Sequence, residues 1–142
     1  MNYEAWVDEV PKSLKCDPIW KFLAYPKSLW LFDLVWRDCE RLKISPQAKA
    51  LIDQLIRSAD SISANIDEGY GRGIEHKEYA YYLRVALGSA RETRSRYFKV
   101  RHLFPAEVVQ HRMGLCDEII ALLVTSINNH RLHLKYLKHS NF

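Results

Sequence analysis

At 142 residues the chain has the length of one domain and can bury a core of its own. Hydrophobic residues make up 48% and charged residues 27%, a globular balance, and no apolar run nears the roughly 18–20 residues of a membrane span. The net charge of +4 is unevenly placed: residues 89–142 hold nine basic and four acidic side chains, against seven and seven in 1–44 and five and six in 45–88.

The first 26 residues contain Pro11, Pro18 and Pro26, which predicts an irregular arm over 1–26. Its Trp6, Trp20 and Phe22 are too apolar for a free tail, so the arm is expected to pack on the rest of the chain or on a neighbour. The opening stretch MNYEAWVDEVPKSLKCDP carries acids and lacks an apolar signal core, which points to the cytoplasm. Cys16, Cys39 and Cys116 are then expected as thiols, and their odd number without CxxC spacing argues against a disulfide framework or a zinc site.

A four-helix region is predicted over 27–142. The first helix, 27–44, places Phe32, Val35, Cys39 and Leu42 on one face. Ser45-Pro46 supplies a cap and a proline at the first helical position, opening a second helix over 46–70. Its seam is Ala48, Ile52, Leu55, Ala59, Ile62, Ile66 and Gly69. Gly69, Gly71 and Gly73 punctuate a turn before a third helix over 75–102, with Tyr79, Leu83, Ala86, Ala90, Thr93, Tyr97 and Val100 in line. Pro105 opens a fourth over 105–138, with Val109, Met113, Cys116, Ile120, Leu123, Ile127, His130, Leu134 and Leu137. Spacings of three and four with short connections predict an all-α, up-and-down antiparallel four-helix bundle.

Charge spacing suggests a register for the second and third helices. Asp53, Asp60 and Asp67 recur every seven residues, as do Lys77, Arg84 and Arg91. A hairpin folding about Arg72 would set Asp67 against Lys77, Asp60 against Arg84 and Asp53 against Arg91. That pairing would leave Arg94, Lys99, Arg101 and His102 without partners, with Glu92 one turn from Arg96.

No nucleophile elbow, phosphate loop, HExxH motif or paired-carboxylate arrangement is present, so no catalytic residue is assigned. The glycine-rich GYGRG at 69–73 follows a helix and not a strand, which favours a helix–helix turn over a nucleotide loop. The histidines lack ligand spacing; His130 reads as a core residue, and neither a metal nor another cofactor is expected. Two basic segments stand out: RSRYFKVRH at 94–102 and HRLHLKYLKH at 130–139. Cations interleaved with aromatics suit phosphate contact and base stacking, which nominates Arg94, Arg96, Lys99, Arg101, His102, Arg131, Lys135 and Lys138 for nucleic acid. Each segment also ends a helix, where cations complement the macrodipole. In an up-and-down bundle the two lie at opposite ends, about 35–40 Å apart.

The stretch SISANIDEGY at 61–70, followed by LGSARE at 87–92, resembles a known family over roughly residues 20–125. It is the family of four-helix bundle proteins encoded by intervening sequences in bacterial large-subunit ribosomal RNA genes. Arg57, Asn65, Glu68, Gly88, Ser89 and Glu92 match its motif positions, while Asp67 stands where the family often has alanine. The family is similar in fold to the accessory variability proteins of diversity-generating retroelements, pentameric barrels that bind nucleic acid and a reverse transcriptase. The resemblance implies a non-enzymatic homo-oligomer, a pentamer, with nucleic acid as partner. The alternative it implies is an accessory subunit or scaffold for a protein such as a reverse transcriptase. The motif itself reads as structural: Ala64, Gly88, Ser89 and Ala90 are small enough for close helix approach, and Asn65 and Glu68 can bond an opposing backbone or Arg57.

Overall fold

A computed structural model describes residues 1–42 and 45–140. Every regular element among them is helical. Two short helices, α1 (Tyr3–Glu9) and α2 (Lys12–Lys15), and a 3-10 turn at Pro18–Lys21 precede four long ones: α3 (Ala24–Glu40), α4 (Pro46–Arg72), α5 (Glu78–Lys99) and α6 (Ala106–Ser140).

Local chemistry sets most of the boundaries. The Asn2 side chain accepts from the Ala5 amide and opens α1, and Asp17 caps the 3-10 turn through the Ile19 amide. Ser45 Oγ accepts from the Ala48 amide with Pro46 next to it, as the sequence predicts. Gly73 ends α4 at φ +94°, a conformation glycine adopts without a Cβ clash. The third long helix starts at Glu78 and not at 75, because the His76 ring Nδ1 accepts from the Glu78 amide and caps it there. α3 begins at Ala24, three residues before the expected start, and takes in Pro26 within its first turn. It ends at Glu40; the predicted end at 44, like the last two residues of the chain, lies outside the described residues.

The four long helices surround one apolar core, and each neighbouring pair runs antiparallel. Phe22 stacks on Tyr70 near the start of α3, while Cys39 shares a cavity wall with Ile52 near its end. Ser61 meets Ser89 across α4 and α5, Tyr79 meets His130 across α5 and α6, and Lys27 pairs with Glu118 across α3 and α6. The seams on α4 and α5 fall where the period of three and four puts them, from Ile52 to Gly69 and from Tyr79 to Val100. Leu31, Leu55, Ile62, Ile66, Leu83, Ile119 and Leu123 are wholly buried, each worth about 1.5–3 kcal/mol of transfer free energy. On α6 the predicted stripe drifts: Leu115 and Ile119 are buried, Ile120 only partly, and Leu134 is exposed. A straight helix of 35 residues cannot keep a seven-residue seam on one line without supercoiling.

Residues 1–22 lie against α3. Trp6 is buried, donates from its indole to Asp33 at 2.7 Å and stacks on Trp20, while Tyr3 contacts Trp30. Trp36 alone of the four tryptophans is largely exposed, at 55%.

The proposed charge register is not the one adopted. Ser89 donates to Ser61 at 2.8 Å and Thr93 to Ser58 at 3.0 Å, which centres the hairpin on Glu75 and not on Arg72. The helices are therefore displaced by about one heptad from the predicted match. None of the pairs Asp67–Lys77, Asp60–Arg84 or Asp53–Arg91 forms among the described residues. Asp53 pairs instead with Lys49 on its own helix, and Arg72 reaches Glu68 and Glu78 around the turn. A seven-residue charge repeat matches at any whole-heptad offset, so the buried hydroxyl pairs and the turn length decide.

Candidate nucleic-acid interface

α5 carries the first basic segment down to Lys99, and the cations there differ in their surroundings. Arg94 Nη1 donates to Asp117 Oδ1 on α6 at 2.6 Å, so the residue expected to be free is the paired one. Lys77, Arg84 and Arg91, expected to be paired, form no ion pair among the described residues. Arg96 is half-buried, and its Nε is enclosed without a hydrogen-bond partner. The expected Glu92–Arg96 pair does not form. Arg101 lies over the Phe98 ring at 4.1 Å and donates to the Phe98 carbonyl, in a 3-10 turn beyond the helix. Lys99 and His102 are exposed.

The second segment is built differently. His130 is buried against Tyr79, and its Nε2 donates to the Ile74 carbonyl at 2.8 Å, which ties the later part of α6 to the α4–α5 turn. A carbonyl only accepts, so Nε2 is the donor, and the enclosed Nδ1 has no hydrogen-bond partner. Past His130 the helix continues from Arg131 to Ser140, about 15 Å at 1.5 Å per residue. Arg131, Lys135 and Lys138 are exposed there, and the stretch contains no acid. His133 approaches Glu75 at 3.7 Å, and Arg131 donates to Asn128. Leu132 and Tyr136 point outward, at 63% and 71% exposure. Since α5 and α6 are antiparallel, this extension and the 94–102 segment sit at opposite ends, and the eight candidate cations do not form one patch.

The motif residues hold structural positions, though not those expected of them. Asn65 Nδ2 donates to the Ser61 carbonyl and hydroxyl on its own helix, not to an opposing backbone or to Arg57. Ser89 bonds across to α4 and Ala90 is buried, but Gly88 and Ala64 are exposed, and a Cβ at Gly88 would meet nothing within 4 Å. The close approach belongs to Gly69, where a Cβ would lie 3.3 Å from the Tyr79 carbonyl and from Tyr82 Cβ. Glu68 lies 3.9 Å from Arg72, and Arg57 and Glu92 are exposed.

A buried polar cluster went unpredicted. Asp38 on α3 accepts two hydrogen bonds from Arg112 on α6, both 2.8 Å, and one from the Tyr97 hydroxyl on α5, also 2.8 Å. Burial and the Asp38 carboxylate push the Tyr97 hydroxyl far up, so it remains a donor. Arg112 donates in turn to His111 Nδ1 at 2.7 Å. The residues lie 59 and 74 positions apart, and no local pattern announces such a contact.

The three cysteines are free. Burial pushes the Cys39 thiol up to about 11 and the Cys116 thiol up to about 12, leaving both protonated and poor nucleophiles near neutral pH. Among the described residues no three His, Cys, Asp or Glu side chains gather as a metal site, and no helix is long and apolar enough to cross a membrane.

The model of the 23S rRNA-intervening sequence protein family matches residues 21–125. The match runs from the end of the 3-10 turn into α6 and stops before the exposed basic extension. No curated protein and no solved structure matches the chain.

Proposed function

Because the chain belongs to the 23S rRNA-intervening sequence protein family, we propose that it is a non-enzymatic, homo-oligomeric, up-and-down four-helix bundle that binds RNA or DNA through a basic helix end. The antiparallel order of α3 to α6 supports the bundle. The observation that carries the binding reading is the α6 extension, where Arg131, Lys135 and Lys138 stand exposed without an acid between them. Tyr136 beside them offers a ring for base stacking. At the other end Lys99, Arg101 and His102 retain this role, while Arg94 is held by Asp117 and Arg96 is half-buried. Because the two basic ends are far apart on one chain, a homo-oligomer, with a pentamer as the form the family resemblance supports, brings copies of one end together. A cytoplasmic setting accords with the free thiols.

Binding to a structured RNA across a salt series tests this reading. Affinity falls steeply with rising salt if phosphates are neutralised by lysine and arginine. Absence of binding at low salt rejects it. Light scattering gives the oligomer mass, and a monomer rejects that half of the reading.

A second reading, an accessory subunit or scaffold for a protein partner such as a reverse transcriptase, is favoured by Trp36 alone. Trp6, Trp20 and Trp30 are turned into the chain, whereas Trp36 lies exposed above a cavity of about 260 Å3 walled by Cys39, Ile52 and Ile56. Under this reading Trp36→Ala abolishes capture of the partner and leaves the melting temperature unchanged. Retained capture rejects it.

A further inference from the structure

Arg37 on the last turn of α3 and Arg41, the C-cap that follows it, are both exposed, and both line a cavity of about 410 Å3 where α3 ends and α6 begins. That size lies within the range of small-molecule sites, roughly 300–1,000 Å3. Much of the wall is apolar, with Leu34 and Leu42 on one side and Phe104 and Val108 on the other. The one acid among the described wall residues, Asp38, is already engaged by two hydrogen bonds from Arg112 and one from Tyr97. Arg112 and Asp38 therefore cancel. Neither Arg37 nor Arg41 has an ion-pair partner among the described residues. Two uncompensated guanidiniums thus border an apolar hollow whose floor is electrically neutral.

We propose that this cavity binds an amphipathic organic anion, a carboxylate on an aliphatic body. The head lies between Arg37 and Arg41, whose planar forks match a carboxylate in two-point geometry. The body lies against Leu34, Leu42, Phe104 and Val108 and is drawn there by removal of apolar surface from water. A small hydrophilic anion lacks the second contribution, and a neutral chain of the same length lacks the first. The cavity contains none of the cations assigned to nucleic acid, so the site stands independently of that reading.

Calorimetric titration of the full chain with decanoate, decanol and acetate tests the proposal. Decanoate saturates one site per chain and binds on the order of tenfold or more tightly than either control, since a charge-assisted contact is worth at least that factor. The double variant Arg37→Ala/Arg41→Ala, changed at exposed positions, loses the preference of decanoate over decanol. Its melting curve verifies folding; should it fail to fold, the comparison of the three ligands on the native chain decides alone. Absence of saturable decanoate binding, equal binding of decanol or acetate, or an unchanged folded double variant overturns the site.

Discussion

Arg112 grips Asp38 through two hydrogen bonds of 2.8 Å each, joining α6 to α3 across an interface where the side chains are 13% and 9% exposed. Tyr97 from α5 adds a third bond to the same carboxylate. Removing one partner leaves the other buried and uncompensated, so Asp38→Ala is expected to destabilise the fold by about 3–5 kcal/mol. Replacing both charges with apolar groups, as in Asp38→Leu/Arg112→Met, is expected to recover much of that loss. Urea denaturation of the single and double variants measures both numbers.

Two glycines in helices should respond in opposite directions. At Gly69 a Cβ would sit 3.3 Å from the Tyr79 carbonyl oxygen, which is backbone and cannot move freely, so Gly69→Ala lowers the melting temperature. At Gly88 nothing lies within 4 Å, and Gly88→Ala gains the helix propensity of alanine, about 0.5–1 kcal/mol. Thermal unfolding followed by circular dichroism checks the pair.

His111 makes stability depend on pH in a defined direction. Burial first, and then the Arg112 guanidinium, hold its pKa below the ordinary value of about 6.5. The unfolded chain therefore takes up this proton at a higher pH than the folded one. The contribution of His111 is fully present above about pH 6.5 and is lost as pH falls through that value toward the lowered one. Urea midpoints between pH 7.5 and 5 should decline, and His111→Gln should flatten the slope. The ring sits edge-on to Trp30 at 5.5 Å, so tryptophan fluorescence reports the transition.

Local signals in the sequence were legible where one residue acts on its near neighbours. Ser45-Pro46 opens α4 as read, and the seams of α4 and α5 follow from a period that needs only a single partner face. The start of α5 was not legible, since Glu75 and Lys77 are good helix formers and only the folded turn shows His76 capping Glu78. Register was misread for a related reason: the charge repeat is degenerate by a heptad, whereas Ser58, Ser61, Ser89 and Thr93 look like ordinary polar residues until they meet. The candidate interface divides along the same line. Freedom of the cations from Arg131 onward follows from the lack of acids nearby in sequence. The engagement of Arg94 depends on Asp117, which lies 23 positions away and comes within reach only when α6 folds back.

The most direct test of the central claim compares salt dependence of RNA binding in the native chain and two variants. Removal of three phosphate-neutralising cations in Arg131→Gln/Lys135→Gln/Lys138→Gln should reduce the slope of log affinity against log salt by about two to three units. Arg94→Gln, which removes a cation already held by Asp117, should leave the slope as it is. An unchanged slope in the triple variant would contradict the assignment of the α6 extension as the nucleic-acid contact.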